Sequence, residues 1–379
     1  MREKIKKSCL GFVCALCGAL GAIGIVMMLD TVGLGLVEGA EVNIGLSIGV
    51  IWFFVILVLL LHIAIHELGH VVFGLCTGYR FISYRFFSFV IQRTKKGVRI
   101  NRYSVPGTLG QALMEPPKLK DGRIPYIWYN LGGALFNFLL VGVSLAVNAM
   151  NDNYFVRTFF TMSILIGLFL GVSNIFPYSE KGMSDGCNIL NLHRHPEKIK
   201  YFYMQLAMVA QLADGKQWTE MDPEDFKVDE NQDKVDSFNL IAYLYRVNMA
   251  YANKEFDEAR RQVEYLYCNK GNLNAIHQKV VQLEKLFLEL IGENRRGTVD
   301  QLYTKEIQQF LKAMKYEVST YRVQMAYEEL YNQDDVAALK CYKEGMKRVA
   351  KAPYYGEATL EKSLLNFLKE KVEKQISAS

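Results

Sequence analysis

The feature that most constrains this chain is the apolar stretch of residues 44–77, which contains His66, Glu67 and His70 near its end. A run of this length predicts a helix that spans a membrane. An ionisable side chain at the centre of such a span costs about 2.5–3.5 kcal/mol on insertion scales. Three ionisable side chains together indicate a function that outweighs this cost, so the stretch predicts a membrane helix that carries a functional site.

The spacing of these residues indicates the kind of functional site. His66 and His70 are four residues apart, which places both imidazoles on one face of a helix. Two imidazoles so placed can bind one zinc ion, and the adjacent Glu67 can accept a proton from water there. The alternative interpretation is a membrane helix with a polar stripe that conducts protons or ions.

Apolar stretches at residues 9–29, 126–147 and 154–176 complete a prediction of four transmembrane helices. The loop of residues 78–124 holds ten basic and two acidic residues, so the positive-inside rule places it and both termini in the cytoplasm. Within the loop, aromatic and polar residues alternate over residues 81–103, which predicts a small β-hairpin. We therefore expect an integral, multi-pass α-helical membrane protein, in the bacterial cell membrane.

From about residue 193 no apolar run reaches membrane length, and charges recur at helical spacing. This half is predicted to be a soluble, cytoplasmic, all-α domain. Residues 248–259 and 324–338 both carry an Ala-Tyr pair on one helix and a small residue early in the next, a pattern similar to the tetratricopeptide repeat. An ordinary antiparallel helical bundle is the alternative. A repeat-like surface suits a cytoplasmic protein partner.

These patterns divide the chain into an N-terminal anchor helix with an outer loop (1–43), a membrane core (44–192) and the helical domain (193–379). The formal net charge of +5 is mild and does not indicate nucleic-acid binding.

A catalytic zinc site needs a third protein ligand and an open position for water. Residues 72–113 contain no Asp, Glu or His, so the short downstream spacing of many soluble zinc peptidases is absent. Pro177 should end the last membrane helix, and the loop after it could return Asp185 to the metal, with Gly186 permitting a sharp turn. The acidic and histidine candidates on the expected cytoplasmic side are Glu115, Asp121, Glu180, Asp185, His193 and His195.

Three motifs, in this order, resemble those of the site-2 protease family of intramembrane metalloproteases. They are His-Glu-x-x-His at 66–70, Gly-x-x-x-Asn at 133–137, and Asn-x-x-Pro at 174–177 followed by Asp185-Gly186. The resemblance covers about residues 44–190. The interval between Pro177 and Asp185 is longer than the usual family spacing, which keeps Glu180 as a rival ligand. The PDZ and CBS domains that commonly accompany the family are not recognisable.

The resemblance implies a role for each motif residue. It makes His66, His70 and Asp185 the ligands of Zn²⁺ and Glu67 the general base. It also assigns substrate binding, or support of the backbone around the cavity, to a further set: Gly133, Asn137, Asn174 and Pro177.

The function implied is a zinc-dependent intramembrane endopeptidase that cleaves a transmembrane or signal-peptide-like segment near the cytoplasmic side. Such cleavage serves regulated proteolysis or peptide maturation. The hairpin within residues 81–103 could pair with the unwound substrate by β-addition. One alternative is a non-catalytic membrane adaptor that acts through its helical C-terminal domain. A transporter is a second alternative, against which the lack of repeat symmetry argues.

Overall fold

The computed structural model describes residues 44–94, 97–102, 109–177, 184–228, 234–352 and 354–378. The predicted first span and outer loop, residues 1–43, lie outside the described residues, and so does Glu180. The described residues form two compact units. The first unit contains residues 44–77, 125–177 and 184–190, and the second contains the remainder.

Three long apolar helices build the first unit: α1 (Ile44–Cys76), α2 (Tyr126–Ala149) and α3 (Tyr154–Ile175). Each contains a segment long and apolar enough to cross a membrane, which in α1 is Ile51–Cys76 and in α3 is Phe155–Ile175. Three of the four predicted spans are therefore present as candidate membrane helices.

The surfaces and ends of these helices follow from their sequences. Large apolar side chains on all three helices are more than half exposed, as a lipid-facing surface requires: Trp52, Phe53, Leu139 and Phe155. The Asn153 side chain caps α3 by accepting hydrogen bonds from the backbone N–H groups of Phe155 and Val156. At its other end α3 stops as predicted, because Phe176 is extended before Pro177.

Helices α1 and α2 touch backbone to backbone at Gly69 and Gly132. A Cβ atom added at Gly69 would lie 2.2 Å from the carbonyl oxygen of Gly132, and one added at Gly132 would lie 2.4 Å from the oxygen of Gly69. Only glycine permits this approach, a common device where membrane helices pack. The contact brings the neighbouring turns of both helices within side-chain reach of each other.

The second unit contains a four-stranded antiparallel sheet with the strand order β3-β2-β1-β4. The strands are β1 (Arg80–Phe86), β2 (Phe89–Thr94), β3 (Gly97–Arg102) and β4 (Gly110–Glu115). The predicted hairpin is present as β2 and β3, but the sheet also includes β1 and β4. Strand β4 alternates buried and less buried residues over only six positions, too short a pattern to stand out in the sequence.

Beyond Pro177, all the regular secondary structure of the described residues is helical. Helix α4 begins in the first unit and ends in the second. The helices are α4 (Asp185–Arg194), α5 (Ile199–Ala213), α6 (Leu240–Ala252), α7 (Phe256–Cys268), α8 (Ala275–Ile291), α9 (Arg296–Leu302), α10 (Lys305–Ala313), α11 (Val318–Tyr327), α12 (Asp335–Val349) and α13 (Tyr355–Ala378). Short 3-10 turns connect several of them. The all-α prediction for this region agrees with these elements.

The two similar sequence stretches form two helix pairs, α6–α7 and α11–α12. In both pairs a residue with left-handed backbone follows the first helix, Lys254 in one and Gln333 in the other. Their small residues, Ala259 and Ala338, are fully buried. The second pair is longer at the connection because a π-helical turn, Glu328–Asn332, extends α11.

A fully buried guanidinium, that of Arg322 on α11, joins three helices of the second unit. Its Nη2 donates to Glu284 on α8 at 2.8 Å, and its Nε lies 3.1 Å from a carboxylate oxygen of Glu361 on α13. The guanidinium carbon also lies 4.2 Å from the ring centre of Phe287. One cation therefore faces two carboxylates, of which Glu361 is buried and Glu284 is half-buried. Burial and the charge of Glu284 outweigh Arg322 and raise the pKa of Glu361 to about 7.

We expect this arrangement to make stability depend on pH. The unfolded chain releases the Glu361 proton near its ordinary pKa of 4.5, whereas the folded chain holds it to about 7. The contribution is therefore complete at low pH and is lost as the pH rises from about 5 to 7, at about 1.4 kcal/mol per pH unit. Glu361→Gln should reduce the slope of this part of the pH profile by about 1.4 kcal/mol per pH unit, the share of one proton, measured by thermal unfolding of the full-length protein in detergent.

Glu370→Gln is the matched control, because Glu370 is exposed on the same helix. It should leave the native pH dependence in place. An unchanged slope in Glu361→Gln would contradict the prediction.

Candidate functional site

Three donor atoms from two parts of the chain converge in the first unit. The Nε2 atoms of His66 and His70 on α1 are 3.2 Å apart. The Oδ2 atom of Asp185, the first residue of α4, lies 3.3 Å from the first and 3.4 Å from the second. Within the described ranges these residues form the only group of three or more His, Cys, Asp or Glu side chains placed to hold a metal ion.

The donor set and its dimensions fit zinc. Two imidazole nitrogens and one carboxylate oxygen are ligands that catalytic zinc sites use, with a fourth position left for water or substrate. Zinc–ligand bonds are about 2.0–2.2 Å long, so two ligands of a tetrahedral ion are about 3.4 Å apart. The three separations of 3.2–3.4 Å agree with that spacing.

His70 is held in the form that can bind a metal. Its Nδ1 lies 2.7 Å from the backbone carbonyl oxygen of Tyr129 on α2. A carbonyl oxygen only accepts hydrogen bonds, so Nδ1 carries a proton, and in the neutral ring the lone pair of Nε2 faces the cluster. Such a contact on the far nitrogen is the usual support of a metal-binding histidine.

His66 is enclosed by the Gly-x-x-x-Asn motif of α2. A Cβ atom added at Gly133 would lie 2.5 Å from the Nε2 atom of His66, so glycine leaves the room that the imidazole occupies. One turn further along, the amide of Asn137 lies 3.2 Å from the Nδ1 atom of His66. Asn137 is fully buried and its amide also contacts His62. These contacts assign Gly133 and Asn137 to placing His66, and their role toward substrate stays a prediction.

The start of α4 is fastened to the end of α3, which sets the position of Asp185. The Ser184 hydroxyl donates to the carbonyl oxygen of Phe176 at 2.7 Å and accepts from the backbone N–H of Cys187. The sharp turn expected at Gly186 is wrong, because Gly186 is part of helix α4. A glycine is needed at this position because the backbone of Ile175 packs against it: an added Cβ atom would lie 1.7 Å from the Ile175 carbonyl oxygen.

The electrostatics of the cluster favour an ionised carboxylate. Burial alone would raise the pKa of Asp185, but in the metal-free protein the protonated imidazoles of His70 and His66 hold it well below its ordinary value. An ionised carboxylate is the form that binds a cation. Glu67 is half-buried one residue after His66, and its charge acts on His70.

The remaining predicted residues lie elsewhere. The Asn174 side chain donates to the carbonyl oxygen of Leu170 in its own helix, and Pro177 is exposed. Their substrate contacts stay predictions. Among the described rival ligands, Glu115 pairs with Arg80, and the others are exposed: Asp121, His193 and His195.

Sequence reasoning overlooked His62, which lies behind His66 on the same helix. Its two ring nitrogens contact Asn137 at 3.1 Å and the Ser163 hydroxyl at 3.0 Å. The signal was present, because His62 precedes His66 by the same four residues that separate His66 from His70. The three imidazoles follow one face of α1.

Comparisons of the chain with protein-family models, with curated proteins and with solved structures found no significant match. The resemblance to site-2 proteases therefore rests on the sequence motifs alone.

We expect Gly133→Ala to weaken zinc binding, because the new methyl group would occupy the space of the His66 imidazole. Disturbed support of a metal ligand typically lowers affinity by about 10–100-fold. The measurement is zinc affinity of the purified protein in detergent, by competition with a chelator.

Gly142→Ala on the same helix is the matched control, because a Cβ atom there would meet nothing within 4 Å. It should bind zinc as the native protein does. Native affinity in Gly133→Ala would show that the glycine is not needed to seat His66.

Proposed function

We propose that this protein is a zinc-dependent intramembrane endopeptidase similar to the site-2 proteases. The observation that carries the proposal is the convergence of His66, His70 and Asp185 at the separations of tetrahedral zinc ligands, with Glu67 alongside. Two of these ligands and the glutamate lie within a helix apolar enough to cross a membrane. A hydrolytic site within such a helix suits a substrate that is itself a membrane segment.

The residues of the cluster divide the chemistry among them. His66, His70 and Asp185 would hold the zinc ion. When bound, zinc supplies a Lewis acid that polarises a peptide carbonyl. Glu67 accepts a proton from the attacking water and delivers it to the amine released when the peptide C–N bond breaks. The Tyr129 carbonyl oxygen and Asn137 keep the two imidazoles oriented throughout.

The membrane setting supports access from the cytoplasm. His66 lies about 15 Å before the end of α1 at 1.5 Å per residue, so the site is nearer to the end that leads into the basic loop of residues 78–124. By the positive-inside rule that loop is cytoplasmic, and with an N-terminal span the chain has four spans and both termini in the cytoplasm.

The sheet and the helical region supply candidate recognition surfaces. Strand β3 is an edge strand of the sheet, and edge strands can add an extended peptide. We assign it to pairing with a locally unwound substrate. The helix pairs α6–α7 and α11–α12, whose pattern is similar to tetratricopeptide repeats, are assigned to a cytoplasmic protein partner.

We expect Glu67→Gln to abolish cleavage while zinc stays bound. The amide keeps the shape of the side chain but cannot accept the proton, and general-base catalysis typically contributes about 10²–10⁴-fold. The measurements are cleavage of a synthetic transmembrane peptide with a helix-breaking residue, followed by mass spectrometry, and zinc content of the same sample.

Asp185→Ala is the companion variant, which should lose both zinc and cleavage. Native turnover by Glu67→Gln would exclude this mechanism. A native protein that binds zinc and cleaves neither this peptide nor membrane peptides in cells would favour the adaptor function.

We expect the two ends of α2 to lie on opposite sides of the membrane. Lys118 precedes this helix and Asn151 follows it. In a background without native cysteines, an impermeant thiol reagent applied to intact cells should modify Asn151→Cys and spare Lys118→Cys.

Both positions should react after detergent solubilisation, which controls for reactivity. The reverse pattern in intact cells would overturn the topology and, with it, water access from the cytoplasm.

A further inference from the structure

A continuous row of buried polar groups leads from His66 away from the donor cluster into helix α3. His62, Asn137, Ser144 and Ser163 are all fully buried. The successive contacts are His66 Nδ1 to the Asn137 amide at 3.2 Å, the amide to His62 Nδ1 at 3.1 Å, His62 Nε2 to Ser163 Oγ at 3.0 Å, Ser163 Oγ to Ser144 Oγ at 2.8 Å, and Ser144 Oγ to the Leu140 carbonyl oxygen at 2.7 Å.

We propose that His62 is a positioning residue for the metal centre. Acting through the Asn137 amide, it keeps the proton of His66 on Nδ1 and so leaves the Nε2 lone pair free to bind the metal. This inference rests on the proposed zinc site, but its basis is a separate set of contacts.

The direction of the row is decided at its far end. The Leu140 carbonyl oxygen can only accept a hydrogen bond, so Ser144 donates its single hydroxyl proton there. The Ser144 oxygen must then accept from Ser163. Because this contact uses the only proton of the Ser163 hydroxyl, Ser163 can offer His62 only its oxygen.

The hydrogen-bonding roles of His62 determine those of Asn137 and His66. His62 donates to Ser163 from Nε2, so in the neutral ring Nδ1 carries no proton and must accept. The structure places Asn137 Oδ1 3.1 Å from His62 Nδ1 and Asn137 Nδ2 3.2 Å from His66 Nδ1. The donor and acceptor roles of the row require the reverse orientation, with the NH₂ group toward His62 and the oxygen toward His66. A half-turn of a terminal amide exchanges these two atoms with almost no change in shape, so the proton inventory decides the orientation. An amide oxygen can only accept, which leaves the His66 proton on Nδ1.

The neutral form of His62 follows from its surroundings. Its ring nitrogens face an amide and a hydroxyl, neither of which supplies a counter-charge. A fully buried imidazole in such contacts is favoured in the uncharged state. The ring also has a specific place, because a Cβ atom added at Gly167 on α3 would lie 2.4 Å from its Cε1 atom.

His62 is needed because Asn137 alone does not choose between its two orientations. With the NH₂ group toward His66, the amide would stabilise a ring that carries its proton on Nε2, the nitrogen that must bind the metal. His70 needs no such arrangement, because its Nδ1 faces the backbone carbonyl oxygen of Tyr129, which can only accept a hydrogen bond. The row thus makes the Asn137 amide present only an acceptor to His66, as the Tyr129 carbonyl oxygen does to His70.

The first test compares zinc affinities of full-length variants in detergent by competition with a chelator. His62→Leu removes the acceptor and should bind zinc about tenfold more weakly, the low end of the effect of losing outer support. Ser163→Ala, which is further from the metal and less disruptive, should show a smaller loss in the same direction. Ser173→Ala on the same helix is the matched control, because its hydroxyl bonds only within α3 at Leu170 and should leave affinity unchanged.

A rescue separates orientation from packing. A carboxylate only accepts hydrogen bonds, so in an Asn137→Asp background the group facing His66 no longer depends on His62. His62→Leu should then cause no further loss of zinc affinity. Native affinity in both His62→Leu and Ser163→Ala, or an equal loss with and without Asn137→Asp, would overturn the proposal.

A measurement on the metal-free protein keeps this inference distinct from the zinc site. The ¹⁵N chemical shifts of His62 should show the proton on Nε2 and a bare Nδ1. A proton on Nδ1 would reverse the row and overturn the inference even if zinc binds. A native protein without zinc affinity would overturn the metal centre itself, while the His62 shifts would still decide the direction of the row.

Discussion

The backbone contact between Gly69 and Gly132 is the constraint on which the first unit depends. The hydrogen bond from His70 to the Tyr129 carbonyl oxygen and the contact between His66 and Asn137 both cross the α1–α2 interface. A side chain at either glycine would push the helices apart and lengthen both of these contacts. The groups in these contacts are buried between the helices, so a broken contact would leave a polar group unsatisfied at about 1–3 kcal/mol.

The cost of an unsatisfied buried polar group also explains why the polar residues of this unit occur in a connected row. Ser144, Ser163 and His62 would each be costly alone between apolar helices, but each satisfies the next. The row thereby joins α1, α2 and α3 and passes a defined hydrogen-bond polarity to His66. Packing and tautomer control are two consequences of one set of contacts, which is why a test of one must hold the other constant.

The sequence predicted the parts of this protein that depend on local pattern. The limits of α2 and α3, the end of α3 before Pro177, and the convergence of His66, His70 and Asp185 all followed from spacing, apolar runs or motif resemblance. The four-strand sheet and the helical place of Gly186 depend on contacts distant in sequence. His62 was visible at the right spacing, but its importance comes from Ser163 and Asn137, which only folding brings to it.

The order of the donors along the chain has a consequence for biosynthesis. His66, Glu67 and His70 emerge from the ribosome with α1, whereas Asp185 follows only after α2 and α3 have been made. A nascent chain therefore exposes two imidazoles and a glutamate in the membrane without the carboxylate that completes the cluster. Assembly of the three helices and the start of α4 must therefore precede completion of the cluster, and under the proposed function a half-inserted chain would have no complete centre with which to cut the helices beside it.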